Sequence, residues 1–338
     1  MKNEFDIIEQ YFNCQLLTSQ RIDIIKSIGD DCAIIKPEAG KFLVLSTDTL
    51  IEGVHFPKNT SAKDIAYKAL AVNLSDLAAM GAKPAWFTLA LTLTDSIDES
   101  WINDFSQQLH ALANDYAIIL VGGDTTRATT LSITIQVHGY IEQQAMLRSN
   151  AKMGDIILLS GEIGAAALGL KIALNDYSPD WPEISKSDKQ QALKALNRPQ
   201  PEIKKGLIAV QYSQSAIDIS DGLLADLGHI LKQSQCAAQI YLDKIPLAGC
   251  LQSLDKNKAF LLALTGGDDY KLCITMSTVA WQKFQKDKPE IAQTGFYPIG
   301  KIYSGHGITL LDASQQNIME LDGTKLENLS QGYNHFSE

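Results

Sequence analysis

Residues 71–86 read AVNLSDLAAMGAKPAW, and their interpretation decides the N-terminal half of the chain. From Ile65 to Thr94 the only acidic residue is Asp76, set among Ala, Leu, Val and Met. Ala66, Ala69, Leu70, Asn73, Leu77 and Met80 fall on one face of a helix that Gly81 stops, with Pro84 just beyond. A carboxylate on or beside that buried face is costly unless a cation or hydrogen-bond donors meet it. Lys68 and Lys83 lack the i,i+3 or i,i+4 spacing of a helical ion pair. Asp76 is therefore expected to be buried and to take its partner from elsewhere, either a basic side chain or a metal ion.

Outward from this helix, the pattern alternates strands and helices. FDIIEQYF predicts a short N-terminal helix, and CAIIK (32–36) and FLVLSTD (42–48) predict strands. WFTLALTL (86–93), AIILVGGD (117–124) and LSITIQVHGYI (131–141) read as further strands. Residues 96–115 place Trp101, Phe105, Leu109 and Leu112 at helical spacing. A new unit begins near Gly154, where DIILLSGEIGAAALGLKIAL reads as strand, glycine turn and helix. The polar stretch 175–201 reads as surface loop and short helix. AIDISDGLLADLGHILKQ (216–233) reads as a strand end and helix, and KLCITM (271–276) and GFYPIGKIY as strands. The expectation is a mixed α/β (α+β) chain of two domains, 1–150 and 151–338, with the boundary near 148–154 and no long linker.

At 338 residues each domain is long enough for its own core. A composition of 45% hydrophobic and 20% charged residues fits a soluble globular protein. A net charge of −10, with no basic cluster, argues against a nucleic-acid surface. Five cysteines, an odd number without a CxxC pair, predict free buried thiols in a reducing compartment. The charged N-terminus is unlike a signal peptide and no apolar run approaches about 18 residues, so a cytoplasmic protein without a membrane span is expected.

SGEIGAAALG (160–169) follows a strand and opens a helix, as a phosphate cradle does. It matches neither GxGxxG nor GxxxxGK[ST], so close packing through small residues is the better reading and a P-loop ATPase is disfavoured. The aspartates are more informative. They recur in GDD (29–31), STD (46–48), Asp76, GGDTTR (122–127), DISDG (218–222) and GGDD (266–269). Each alone could be a turn or a helix cap. Together, with adjacent Ser and Thr hydroxyls, they supply the short hard oxygen donors that magnesium prefers, and they predict one or more divalent metals. Glycines beside them let a backbone pass close to a ligand.

The succession IGDDCA, STDTLIEGVHF, AYKALAVNLSDLAAMGAKP, GGDTTR, RSNAKMGD, DISDGLLADLGHI, TGGDDY and GYNHF resembles the thiamine-monophosphate kinase family. That family belongs to the ATP-binding superfamily of aminoimidazole ribonucleotide synthetase and selenophosphate synthetase. The resemblance runs from about residue 4 to 336. Two departures are visible: Asp268 stands where the family usually has Glu, and Asn334 where it usually has Asp. The resemblance implies an aminoimidazole ribonucleotide synthetase-like fold, with an N-terminal domain forming a sheet or barrel across a homodimer and a C-terminal α+β domain. It also implies ATP-dependent phosphorylation of thiamine monophosphate to thiamine diphosphate by direct transfer, with nucleotide and metals between the domains.

By the same resemblance, Asp30, Ser46, Thr47, Asp48, Asp76, Asp124 and Asp218 would hold magnesium ions, with Asp221 a further candidate. Gly123, Asp124, Arg148 and Ser220 would meet ATP, and His55, Asp268 and Tyr333 would contact thiamine monophosphate. Arg148 also has a physical case, since a guanidinium grips phosphate oxygens in pairs, whereas Arg127 is the weaker phosphate candidate. An aromatic ring and a carboxylate suit a thiazolium cation. The acceptor is a phosphate monoester already ionised near neutrality, so neither a general base nor a nucleophile is assigned. Two rivals stay open: a related enzyme with another acceptor, and a non-catalytic metal- or nucleotide-binding regulator. The reactive Cys of a selenophosphate synthetase has no counterpart in a glycine-rich N-terminal segment.

Overall fold

A computed structural model describes residues 4–13, 22–177, 181–321 and 323–325. The chain forms two compact units, residues 1–77 with 82–143, and residues 78–81 with 144–338. The following holds for the described residues.

The first unit contains α1 (Glu4–Ile7), β1 (Ile24–Lys26), β2 (Ile34–Ile35), β3 (Phe42–Ile51), α2 (Ala62–Met80), β4 (Lys83–Leu93), α3 (Glu99–Asp115), β5 (Ile119–Arg127) and β6 (Ser132–Ile141). Its sheet runs in the order β3-β6-β4-β5. Parallel β4 and β5 are joined by the α3 crossover, and β6 pairs antiparallel with β3 and β4. Asp98 caps α3 by accepting the Trp101 amide at 2.8 Å, a contact whose loss costs about 1 kcal/mol. The helix then buries Ile102, Phe105, Leu109 and Leu112, the periodic stripe expected of an amphipathic helix.

Helix α2 is different. From Ile65 to Ala79 every residue is buried except Asp76, so the helix is enclosed on nearly all sides rather than along one face. It ends in a Schellman turn. The Ala82 amide donates to Leu77 and the Gly81 amide to Ala78, with Gly81 at φ +69°, a value that suits glycine.

The second unit holds a seven-stranded sheet. Its strands are β7 (Ile156–Leu159), β8 (Ser215–Asp218), β9 (Ala237–Tyr241), β10 (Leu272–Met276), β11 (Tyr297–Tyr303), β12 (Gly307–Leu311) and β13 (Asn317–Ile318). The order is β13-β12-β9-β11-β7-β10-β8, antiparallel except for the β12–β9 pair. Helices α4 (Ala165–Ala173), α5 (Lys186–Asn197), α6 (Ile203–Ala209), α7 (Leu223–Ser234), α8 (Lys256–Thr265), α9 (Thr278–Asp287) and α10 (Pro289–Gly295) belong to the same unit. Leu223, Leu227 and Ile230 of α7 share a core with Ile217, Cys273 and Ile299 of the sheet. The glycine stretch 160–169 is a packing device: a Cβ on Gly169 would lie 2.3 Å from the Ala192 carbonyl oxygen of α5.

Cys236, Cys250 and Cys273 are free and buried, whereas Cys32 is free but exposed, contrary to the expectation for it; Cys14 lies outside the described residues. No described helix is long and apolar enough to cross a membrane.

Candidate functional site

In the first unit the pleat of β3 divides the predicted residues between two faces. Ser46 and Asp48 point to the face that packs on α2, where the Ser46 hydroxyl donates to the Asp76 carboxylate. The Asp48 amide donates to Asn73 Oδ1 at 3.2 Å, and Asn73 Nδ2 is itself tied to the Ala69 carbonyl at 2.9 Å. Burial, with the neighbouring charge of Asp76, pushes the Asp48 carboxyl up to about 6. Asp76 is thus half-buried rather than buried. It is the one opening in an enclosed helix segment, and it faces a second carboxylate.

Thr47 points the other way, as alternation along a strand requires, and its hydroxyl accepts from Gln136 Nε2 at 3.1 Å. Asp124 joins it on that outer face. A bulge in the β4–β5 pairing after Phe87 sets Leu89 opposite Gly123 and Ala90 opposite Asp124, and Ala90 pairs in turn with Thr134. Thr134 bonds Thr49 across β3 at 2.8 Å. Gly123 allows the close pairing, because a Cβ there would stand 1.8 Å from the Leu89 carbonyl oxygen. One end of the outer face is covered by the β1–β2 hairpin, where Ile24, Ala33 and Ile35 pack near Trp86 and Tyr140. Asp30, in the hairpin loop, pairs with Lys26 at 3.6 Å. Arg127 pairs with Asp95 at 3.4 Å in an exposed contact, worth less than about 1 kcal/mol.

At the end of β3, His55 folds back. Its Nδ1 accepts the Ile51 amide at 3.0 Å and its carbonyl accepts the buried Lys68 ammonium at 3.2 Å. Ring and main chain are thereby both tied to fixed partners.

In the second unit, two loops meet because β8 and β10 pair antiparallel, with Asp218 opposite Leu272. The Asp268 amide donates to the Ser220 carbonyl and the Tyr270 amide to the Ile219 carbonyl. Gly267 is required by this approach, since a Cβ would come within 2.2 Å of the Ser220 carbonyl oxygen. Asp268 and Tyr270 both adopt positive φ, +67° and +49°, an uncommon state for residues other than glycine. Asp218 is buried, and Ser220, Asp221 and Asp268 are half-buried. Arg148 is exposed at the start of a short 3-10 turn. Tyr333 lies outside the described residues.

Sequence pattern assigns no role to three polar residues of these sites. Besides Asn73, they are two buried carboxylates with backbone partners. Asp226 accepts the Ser220 and Asp221 amides, and burial, reinforced by Asp221, pushes its carboxyl up to about 7 against the opposing pull of those amides and Arg148. Asp269 accepts the Gly164 amide at 2.7 Å and the Ala166 amide at 3.4 Å at the start of α4. Burial pushes it up to about 7 as well, with the two amides and Lys271 opposing. Only the Ala-Asp and Gly-Asp-Asp settings hint at them.

Among the described residues, no three His, Cys, Asp or Glu side chains form a metal-holding cluster. What each unit offers is smaller: the Ser46–Asp48–Asp76 oxygen group in the first, and the Asp218–Asp221 segment in the second.

The family described as AIR synthase related protein, N-terminal domain, matches residues 29–141. Thiamine-monophosphate kinase of Escherichia coli (strain K12) is 46% identical over 275 residues, 81% of this chain and 82% of that protein. A crystal structure of thiamine-monophosphate kinase from Stenotrophomonas maltophilia K279a superposes with TM-score 0.81 at 39% identity, covering 95% of this chain and 97% of that one. The structure of AaThiL complexed with AMPPCP and TMP superposes with TM-score 0.74 at 27% identity, covering 98% and 96%. The likeness spans both units at an identity well above what a shared fold alone brings, and the chain belongs to the thiamine-monophosphate kinase family.

Proposed function

We propose that this protein transfers the γ-phosphoryl group of ATP to the phosphate of thiamine monophosphate, giving thiamine diphosphate and ADP. The observation that carries the reading is the near full-length similarity to thiamine-monophosphate kinases, together with that to a relative solved with AMPPCP and TMP.

The acceptor needs little activation, because a phosphate monoester has lost most of its second proton at neutral pH. The difficulty is electrostatic. Unit charges about 4 Å apart repel by roughly 1 kcal/mol in water and about 4 kcal/mol at an effective dielectric of 20. The residues fit magnesium: Asp48 and Asp76 confront each other in a partly desolvated place beside a Ser46 hydroxyl, and such hard oxygen donors suit that ion. Asp30, Ser46, Thr47, Asp48, Asp76, Asp124, Asp218 and Asp221 are the residues that would hold it. Bound magnesium would neutralise the phosphates and let them approach in line. Thr47 and Asp124 lie on the opposite face of the sheet from Asp48, so more than one ion position is implied.

The chain's own groups do the rest. Arg148 offers a forked donor to phosphate oxygens. Gly123, whose close pairing with Leu89 sets the position of Asp124, would meet the nucleotide beside it. Ser220 has its main chain fixed by Asp226, and its hydroxyl would meet ATP. His55, Asp268 and Tyr333 contact thiamine monophosphate, Asp268 and Tyr333 at its organic part.

The protein works as a homodimer in the cytoplasm. Support for the dimer is the edge strand β3, which exposes Phe42 at 65% and Leu45 at 60%, an edge that proteins usually cover. Free thiols support a reducing compartment. The deciding experiment incubates purified protein with ATP, magnesium and a panel of phosphorylated acceptors, with products identified by mass. Thiamine diphosphate from thiamine monophosphate alone is expected. Nucleotide binding without turnover on any acceptor would replace the kinase by a regulator.

A further inference from the structure

Asp226 sits in the first turn of α7 and is 2% exposed. One oxygen of its carboxylate, Oδ2, accepts both the Ser220 and the Asp221 amide, each at 3.0 Å. These consecutive residues are the ATP and metal candidates of the loop. Gly222, at φ +108°, turns the chain immediately afterwards, pressed so close to Thr265 that a Cβ would come within 2.7 Å of its carbonyl. From the other side the Ser220 carbonyl accepts the Asp268 amide at 2.9 Å. The far end of the same helix reaches Arg148: the Ser234 hydroxyl donates to the Arg148 carbonyl at 2.8 Å and accepts the Ala151 amide at 3.1 Å. One rigid helix thus holds two separate stretches of the candidate nucleotide site by their main chains.

We propose that Asp226 is a positioning residue for phosphoryl transfer, its carboxylate oxygen fixing the Ser220–Asp221 main chain so that the Ser220 hydroxyl and the Asp221 carboxylate reach the nucleotide and its metal together. This rests on the kinase reading and adds to it a residue that touches neither substrate. The anchor is a shared acceptor oxygen, so what counts is where that oxygen stands. Asp226→Asn keeps an acceptor there; Asp226→Leu removes it while keeping the branched shape, though with bulkier methyl groups; Asp226→Glu keeps the charge but carries the oxygen forward by a methylene.

The test measures kcat, the KM of each substrate, magnesium-ADP affinity by calorimetry, and thermal stability. Asp226→Asn should stay within about three-fold of wild type in kcat. Asp226→Leu and Asp226→Glu should lose roughly ten- to a hundred-fold, the effect of misplacing a reacting group by about 1 Å, with weaker ADP binding and the KM of thiamine monophosphate near wild type. Should the Leu variant fail to fold, the Glu variant decides. Wild-type kcat and ADP affinity in the Glu variant, or equal rises in both KM values, would overturn the inference. If wild-type protein makes no thiamine diphosphate, the kinase reading fails instead, and the ADP affinities still test the anchor.

Discussion

The Asp268 amide donates to the Ser220 carbonyl at 2.9 Å, so a candidate acceptor residue and a candidate nucleotide residue share one main-chain bond. Gly267 makes the contact possible. Gly267→Ala would drive a methyl into the Ser220 carbonyl oxygen, which stands 2.2 Å from where that methyl carbon would sit. Overpacking of this kind costs roughly 1–3 kcal/mol. We expect a lower melting temperature together with lower kcat, and KM values raised for both substrates. A stable variant with altered kinetics for one substrate only would show that the loops move independently.

Asp268→Asn removes charge and little else. It should raise the KM of thiamine monophosphate and leave that of ATP near wild type, as steady-state titration of each substrate will show. Asp268→Glu should bind the acceptor at least as well. Its backbone holds φ +67°, which Asp tolerates better than Glu, so a small loss of thermal stability is expected alongside.

Stability and activity should part company at Asp76. Asp76→Asn retains an acceptor for the Ser46 hydroxyl while ending the repulsion that helps raise the Asp48 carboxyl to about 6. With chelator present, the variant should melt no lower than wild type, and magnesium should no longer raise the transition. Turnover should fall by roughly a hundred-fold or more, a loss on the scale of removing one electrostatic group from a phosphoryl-transfer site. A lower melting point with intact turnover would reverse both roles.

Asp269 carries a pH signature. Its carboxyl stands at about 7 in the folded protein, above a reference of 3.8, so the native state binds the extra proton between those values. Stability from this group is full below about pH 4 and lost as pH rises toward 7. Asp269→Asn should flatten that stretch of the curve relative to wild type in urea titrations across pH. Parallel curves for the two proteins would mean the carboxylate is ionised throughout, held by the Gly164 and Ala166 amides.

Much of the fold can be read from local pattern. The Ala-rich run ending at Gly81 and Pro84 marks α2, and Trp101, Phe105, Leu109 and Leu112 mark α3. What pattern hides is which way a strand residue points once a bulge intervenes. GGD reads as a strand end, yet the slip after Phe87 turns Asp124 to the face opposite Asp48. Asp76 departs from expectation for a related reason: periodicity shows one apolar face, whereas α2 is enclosed nearly all round and the polar residue marks the single opening between Ile65 and Ala79. Asp269 leaves no local trace of its role because its partners lie more than a hundred positions away. The stretch 175–201, which reads as loop and short helix, contains the twelve-residue α5, whose core residues Ala192 and Leu196 are spaced among charged neighbours.

The left-handed pair Asp268 and Tyr270 sets a trap for anyone breeding a hardier version of this protein. At Asp268 glycine would escape a backbone penalty of about 1–2 kcal/mol, so a screen that rewards heat resistance alone would be drawn to it. Winners at Asp268 would be sturdier molecules stripped of the carboxylate offered to the acceptor. Selection in this loop has to keep turnover in view, because here the comfortable backbone and the useful side chain belong to different amino acids.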